Sequence, residues 1–190
     1  MSIEQIFEGE FAEGHLEVSD KLISEFEKEF GGPLPNEYKD FLKKYGSSFV
    51  SASINIEEPN PFGGGTIVDF FYGFNKDKES HDIRDQNEMA QASPFAVPIA
   101  GNLFGGQFLM LCQGEDAGKV LFFDIEQRAL WPDEQFYEMF ENLSPEIETY
   151  LEQRRNGEIP EKEEGYESFY LVGSSLDDFL KKLEKVDYDE

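Results

Sequence analysis

Apolar residues recur at helical spacing in two neighbouring segments close to the start of the chain. In the first, Ser19 is a suitable N-terminal cap, and the apolar face consists of Leu22, Ile23, Phe26 and Phe30. Gly31 and Gly32 end this helix, because glycine takes the left-handed conformation of a helix C-terminus readily. The second helix begins at Pro35 and ends at Gly46, and its apolar face consists of Tyr38, Phe41, Leu42 and Tyr45. The pattern predicts two packed helices joined by a short link.

Short apolar runs separated by glycine-rich links predict a β-sheet in the middle of the chain. The predicted strands are 49–56, 66–74, 95–99, 107–112 and 119–125, and a mostly polar helix is predicted at 80–92. The links between the last three strands are too short for the crossover that a parallel pair needs. These strands are therefore predicted to form an antiparallel meander.

The last third of the chain alternates between predicted helices and acidic loops. Helices are predicted at 133–140 and 144–155, a solvated loop with five glutamates at 158–167, and an edge strand at 169–172. Ser175 caps a closing helix whose apolar face consists of Leu176, Phe179, Leu180 and Leu183. The chain is thus predicted to be one α+β domain over 1–190, with a central, largely antiparallel sheet flanked by helices and an acidic helical and loop insertion at about 127–168.

Charge narrows the classes of partner. The chain has 190 residues, of which 41 are acidic and 16 basic, so the net charge is −25. The acids are denser in the last third but occur throughout. Such a chain repels nucleic acid and anionic lipid heads and attracts basic proteins. A role of the acids in solubility alone is the open alternative.

Location and cofactors follow from what the sequence lacks. Cys112 is the single cysteine and lies in an apolar run, which predicts a buried small hydrophobe and no internal disulfide. No signal-peptide pattern and no bilayer-length apolar stretch is seen, so we expect a cytoplasmic protein without membrane insertion. The two histidines and one cysteine cannot make a zinc site, and no metal or other cofactor is expected.

Few residues have the arrangement that catalysis requires. His81, Asp85 and Glu88 would share a helix face, a pattern more typical of a solvated surface than of a cation site. No nucleotide-binding loop, nucleophile motif or basic nucleic-acid-binding face is present. We therefore expect a protein that is not an enzyme, although a glycosidase-like pair of carboxylates stays open, because its separation is a three-dimensional quantity.

Motifs in a fixed order indicate a family. The two-helix segment has the sequence Glu27-x-x-Phe30-Gly31-Gly32-Pro33-Leu34-Pro35-x-x-Tyr38-Lys39-x-Phe41-Leu42-x-x-Tyr45-Gly46. Later come Val97-Pro98-Ile99-Ala100-x-Asn102, Gly105-Gly106, Val120-x-Phe122-Phe123-Asp124 and Leu176-x-x-Phe179-Leu180. Together these resemble the SUKH superfamily, which includes fungal Smi/Knr-type cell-wall-assembly regulators and many bacterial relatives. One departure is the turn Tyr45-Gly46-Ser47-Ser48, where the family often has an Asn-Gly-Gly type turn.

The resemblance implies an α+β fold and a binding role without shared catalytic residues. The signature positions are interpreted as structural, because they suit a packed helix–turn–helix unit; they are Gly31, Pro33, Leu34, Pro35, Tyr38, Phe41, Tyr45 and Gly46. Many bacterial members are thought to be immunity proteins that neutralise toxins, whereas fungal members regulate glucan synthesis through protein partners.

Two binding hypotheses follow. In the first, the protein is an immunity-type inhibitor whose acids fit the basic cleft of a nucleic-acid-targeting toxin. Its contact residues are predicted in loops, where function tends to lie: Glu57, Glu58, Glu115, Asp116, Glu161, Glu163 and Glu164, with Phe62 and Phe104 as aromatic anchors unless they serve the core. In the second, the protein is a regulatory scaffold for cellular assemblies. The oligomeric state is left open.

Overall fold

A computed structural model describes residues 6–77, 81–89 and 95–186 of the chain. The strands are β1 (Phe7–Phe11), β2 (Ser48–Asn55), β3 (Gly65–Phe71), β4 (Ala96–Gly101), β5 (Gln107–Leu111), β6 (Val120–Phe123), β7 (Phe169–Gly173) and β8 (Glu184–Lys185). The helices are α1 (Asp20–Phe30), α2 (Asn36–Tyr45), α3 (Ile83–Met89), α4 (Asp133–Met139), α5 (Pro145–Arg155) and α6 (Leu176–Lys182). The predicted α+β class is confirmed.

All eight strands belong to one sheet, in which β1 to β7 lie side by side in chain order. Each neighbouring pair is antiparallel, which confirms the predicted meander. Strand β8 pairs with β2 at Ala52 and Ser53, next to the stretch of β2 that pairs with β1. Strand β7 therefore forms one edge of the sheet, while β1 and β8 share the other.

One face of the sheet is covered by helices α1, α2 and α6. Alternate residues of the strands and the apolar faces of these helices form the main hydrophobic core. Aromatic pairs join the layers: the rings of Phe41 and Phe71 lie 4.9 Å apart, and those of Phe108 and Phe179 lie 5.5 Å apart. All four side chains are buried, so this face carries most of the apolar burial that stabilises the fold.

The helix pair α1–α2 is built as the sequence predicts. The Ser19 hydroxyl accepts a hydrogen bond from the Leu22 N–H at 3.2 Å, and Gly31 ends α1 with a left-handed φ of 86°. The Glu27 carboxylate accepts hydrogen bonds from the Leu34 N–H at 2.9 Å and from the Lys39 ammonium at 3.2 Å. The signature glutamate thus fixes the link between the two helices.

Close backbone contact explains Gly46, at the end of α2. A Cβ atom at Gly46 would lie 2.7 Å from the Leu42 carbonyl oxygen, and one at Gly73 would lie 2.3 Å from the Ser47 backbone nitrogen. Ser47 itself has a φ of 61°, a conformation that favours glycine. The turn that departs from the family pattern therefore places a serine where a glycine would fit without strain.

The predicted insertion at about 127–168 connects β6 to β7. It contains a 3-10 turn at Arg128–Leu130, the helices α4 and α5, and the acidic loop. Phe136, Ile147, Tyr150 and Leu151 form a small apolar cluster of its own. Arg154 joins its parts, because its guanidinium pairs with Asp133 and donates to the Trp131 carbonyl oxygen. That this segment is an insertion relative to the family stays a prediction.

The sequence pattern missed two strands. Strand β1 was missed because its three central residues are a glycine and two glutamates, types that are depleted in strands, and β8 because it has two residues. The strand predicted at 66–74 ends earlier, at Phe71, because Gly73 already pairs with Asp82. Of the helix predicted at 80–92, residues 83–89 are helical, while positions 80 and 90–92 lie outside the described residues.

Candidate protein-binding surface

The face of the sheet opposite α1, α2 and α6 carries a second apolar cluster on β4 to β7. Ala96, Leu109 and Phe169 are its buried members, and Leu111, Leu121 and Phe123 are partly buried beside them. These residues alternate along the strands with residues of the main core. The two faces of the same strands are thus both apolar, which is the pattern of a sheet that packs on both sides.

A groove of about 560 Å³ runs over this second cluster. Its apolar floor and walls are formed by Phe95, Leu111, Leu121, Tyr166, Phe169 and Leu171. Phe95 and Leu171 are each 46% exposed. No helix of the described part of the chain contributes a lining residue, so we name this surface the open groove.

Charged side chains form the rim of the open groove. Four of the predicted contact residues meet here from three separate loops: Glu58, Glu115, Asp116 and Glu163. Lys119 pairs with Asp116 at 2.5 Å, and Lys162 pairs with Glu58 at 2.9 Å. Acids outnumber bases among the lining residues, so the rim attracts positive charge.

The Glu58–Lys162 pair also contacts the backbone of the edge strand β7. The Glu58 carboxylate accepts a hydrogen bond from the Leu171 N–H at 2.8 Å. The Lys162 ammonium donates to the Phe169 carbonyl oxygen at 2.5 Å and lies 3.8 Å from the centre of the Tyr170 ring. These two side chains therefore occupy hydrogen-bonding positions along an exposed strand edge.

The other predicted acids lie close to the groove but do not line it. Glu57 is exposed and lies 3.6 Å from Lys182 on α6. Glu161 lines a neighbouring cavity of about 360 Å³ between the insertion and β7, together with Tyr150 and Tyr170. Glu164 is exposed on the same loop. The structure thus brings four of the seven acids together and places the other three elsewhere.

The two predicted aromatic anchors differ in environment. Phe62 is half-buried, and its ring contacts those of Phe122 and Tyr170 at 5.4 and 5.2 Å, so it packs its loop against the main core. Phe104 is 71% exposed at the tip of the β4–β5 hairpin, beside the exposed Leu103. Neither lines the open groove, and their role in binding stays a prediction.

A smaller cavity of about 260 Å³ is lined by two acids that lie close together in the sequence, Asp124 and Glu126. Asp124 accepts hydrogen bonds from the backbone N–H groups of Arg128 and Glu126 at 2.7 and 3.2 Å. Burial raises the pKa of Asp124 above its ordinary value. The Glu126 carboxylate pairs with the Arg128 guanidinium at 2.5 Å. Both carboxylates thus have structural partners that order the chain after β6.

Three features of the described residues bear on metal, thiol and membrane chemistry. Among the described residues, no group of three His, Cys, Asp or Glu side chains is placed to hold a metal ion. The predicted face of His81, Asp85 and Glu88 includes a side chain outside the described residues, that of Glu88. Burial raises the pKa of the Cys112 thiol to about 12. No described helix has the length and apolar character to cross a bilayer.

Sequence reasoning missed the apolar part of the groove. Phe95, Tyr166 and Leu171 were read as strand or loop residues, because a single strand does not reveal which of its faces is covered. The pairing of the partly buried Lys162 with Glu58 was also missed. The available signal was the lack of polar alternation in 107–112 and 119–125, which is typical of strands that are apolar on both faces.

The fold and the open groove define an α+β domain with a single antiparallel sheet, helices α1, α2 and α6 on one face and an acid-rimmed apolar surface on part of the other. The model of the SMI1/KNR4 family (SUKH-1) matches residues 17–153, which is most of the chain. The chain belongs to this family, as its motifs predict.

The sequence is also similar to that of a bacterial protein. The chain is 28% identical over 134 residues to the SPbeta prophage-derived uncharacterized protein YokK of Bacillus subtilis (strain 168). The aligned part covers 63% of this chain and 67% of the relative. No solved structure matches the chain with statistical significance.

Proposed function

We propose that this protein is a non-catalytic, immunity-type inhibitor that binds a basic toxin domain through the open groove and neutralises it. The observation that carries the proposal is the groove itself, with exposed Phe95 and Leu171 surrounded by the acids of the rim. Protein interfaces commonly have an apolar, aromatic centre and a polar rim. A toxin that acts on nucleic acid has a basic cleft, and the acidic rim is complementary to it.

The charge of the whole chain supports the same partner. A net charge of −25 accelerates the encounter with a basic protein and disfavours nucleic acid and anionic membranes as partners. Family membership supports a binding role, since the family resemblance implies immunity and regulatory proteins without common catalytic residues. The name of the curated relative gives it a prophage origin, which fits a gene that moves between bacterial genomes.

The first test is a pull-down with the tagged protein from its own cells, at low and at high salt, analysed by mass spectrometry. We expect a basic toxin domain in the low-salt eluate and less of it at high salt, because salt screens exposed charges. Recovery of cell-wall or housekeeping proteins alone would overturn the immunity role and favour the regulatory scaffold.

Charge reversal then locates the surface. In the double variant Glu115→Lys and Glu163→Lys, both changes lie on the groove rim. We expect at least a tenfold loss of affinity for the recovered partner, or about 1.4 kcal/mol, mainly through slower association. The matched control is Glu138→Lys with Glu148→Lys, two exposed acids on α4 and α5 that do not line the groove. Equal losses in both double variants would contradict the assignment of the groove.

A further inference from the structure

Strand β7 is an edge strand whose pairing positions are occupied by side chains. An edge strand presents backbone N–H and C=O groups that can pair with another chain. In β7 the Leu171 N–H and the Phe169 C=O bond to the Glu58 carboxylate and the Lys162 ammonium. The two side chains thus occupy the positions in which a neighbouring strand would accept and donate backbone hydrogen bonds. They also form an ion pair with each other at 2.9 Å.

The Glu58–Lys162 pair comes from two loops and contacts β7 through its side chains. Glu58 lies in the loop between β2 and β3, and Lys162 in the acidic loop before β7, so neither belongs to a helix or strand. Their side chains are 33% and 21% exposed. Displacing them breaks their ion pair and their two hydrogen bonds to β7, and the backbone groups of an added strand would replace those two hydrogen bonds. Moving two side chains would therefore open the edge without disturbing the sheet.

The surroundings of β7 differ on its two sides. Leu171 faces the open groove, which offers apolar contact. Tyr170, the next residue towards the N-terminus, lines the cavity that also contains Glu161 and Glu167. An added strand would place alternate residues on these two sides. The edge therefore suits a segment in which apolar and basic residues alternate.

We propose that β7 is the docking edge for an extended, basic segment of the partner protein, which pairs with β7 after displacing Glu58 and Lys162. The proposal rests on the proposed function and specifies how the same partner binds. Backbone pairing at an exposed sheet edge is a general mode of peptide recognition. The displaced Glu58 carboxylate, together with Glu161 and Glu167, then faces the basic side chains of the segment.

A second copy of this chain is the other possible occupant of the edge. Charge argues against it, because each copy has a net charge of −25 and the acids of the rim would approach their own counterparts. Like charges at a pairing edge oppose association.

The test uses a synthetic eight-residue peptide of alternating lysine and valine, capped at both ends. It is compared with two N-methylated peptides of the same sequence, here called its twins. One twin is N-methylated at the valines and the other at the lysines, so each lacks the N–H donors of one strand edge. Binding is followed by NMR on the isotope-labelled full chain. We expect shifts centred on Tyr170, Leu171 and Val172, with one twin at least tenfold weaker than the parent and the other within about twofold. A peptide held only by charge would bind in all three forms alike, which would overturn the proposal.

Lys162→Met opens the edge while keeping the aliphatic stem, and we expect it to bind the parent peptide about fivefold more tightly than the natural chain does. Lys182→Met removes the same charge from the pair with Glu57 and should leave affinity within about twofold. If Lys162→Met does not fold, Glu58→Gln breaks the same ion pair.

Each remaining outcome has a defined meaning. The proposal is overturned if neither the natural chain nor Lys162→Met binds the peptide at millimolar concentration. It is also overturned if Lys162→Met dimerises in sedimentation when salt is added, because the edge would then be assigned to a second copy. Shifts confined to the groove lining without β7 leave the proposed function standing and refute strand addition alone. The pull-down tests the proposed function separately, because it does not depend on the peptide.

Discussion

The two faces of the sheet are built from alternate residues of the same strands, yet they differ in what covers them. On one face, Phe108 and Phe122 are buried under helices, whereas on the other Leu111 and Leu121 are partly exposed along the groove. Apolar area contributes to folding in proportion to the area removed from water. The covered face therefore stabilises the fold, while the open face keeps apolar area that a partner can still bury.

The largest effect should come from truncating the covered face. Phe108 is fully buried and contacts both Phe122 and Phe179. Phe108→Ala should lower the free energy of unfolding by about 3–5 kcal/mol, since it removes a buried ring and leaves a cavity. Urea denaturation measures the loss.

The matched control on the open side is Phe95→Ala, in which the ring is already 46% exposed. Phe95→Ala should lower the free energy of unfolding by less than about 1 kcal/mol, because truncating a half-exposed side chain removes little buried area. Similar losses in the two variants would mean that the open groove is part of the stabilising core.

A smaller effect is expected from weakening the link between α1 and α2, two of the helices that cover the first face of the sheet. Glu27→Ala removes the carboxylate that accepts hydrogen bonds from the Leu34 N–H and from the Lys39 ammonium. It should lower the free energy of unfolding by about 1.5–3 kcal/mol, because it leaves a partly buried N–H without an acceptor. Thermal and urea unfolding both report the change.

Glu25→Ala is the control on the same helix, since Glu25 is exposed and its ion pair with Lys21 is long, at 3.7 Å. It should change stability by less than about 0.5 kcal/mol. A loss as large as that of Glu27→Ala would show that helix charge, not the link between the helices, holds the layer in place.

The smallest effect is a pH dependence at His81, whose ring packs against Phe49 and Phe70 at 5.1 and 4.5 Å. Burial lowers the pKa of His81 below its ordinary value of 6.5. The unfolded chain therefore binds a proton at higher pH than the folded chain does, so stability is full above about 6.5 and falls as the pH decreases towards the folded-state pKa. Urea titrations between about pH 7.5 and 5.5 measure the slope.

The His81→Phe variant isolates this contribution, because it keeps a ring between the two phenylalanines and cannot be protonated. Its stability should depend less on pH over the same range than that of the natural chain. Identical slopes would assign the pH dependence to the carboxylates, which lose charge as the pH falls.

The elements that the sequence predicts well are those with local signals. Ser19, Ser144 and Ser175 each accept a hydrogen bond from a backbone N–H at the start of their helix, as their positions predict. The meander follows from link lengths alone. Strand β1 lacks such a signal, because its pairing with β2 depends on residues about forty positions away.

The candidate site is predictable only in part, for a similar reason. Loop acids can be identified by composition, but that Glu58 and Glu163 meet at one rim depends on the tertiary arrangement of two distant loops. The exposure of Leu171 depends on which face of the sheet the helices cover, and the sequence of a single strand does not indicate this. The sequence thus indicates that the surface is acidic. It does not indicate which apolar residues line the open groove or that β7 is an edge strand.

The partly buried thiol of Cys112 has a practical consequence for probing these surfaces. With a pKa raised to about 12, roughly one molecule in 10⁵ carries a thiolate there at neutral pH. The thiolate is the form that reacts with maleimides, so the natural chain should label very slowly. A cysteine introduced at an exposed position such as Leu171 would then accept a fluorophore or spin label selectively, without replacing any residue of the core.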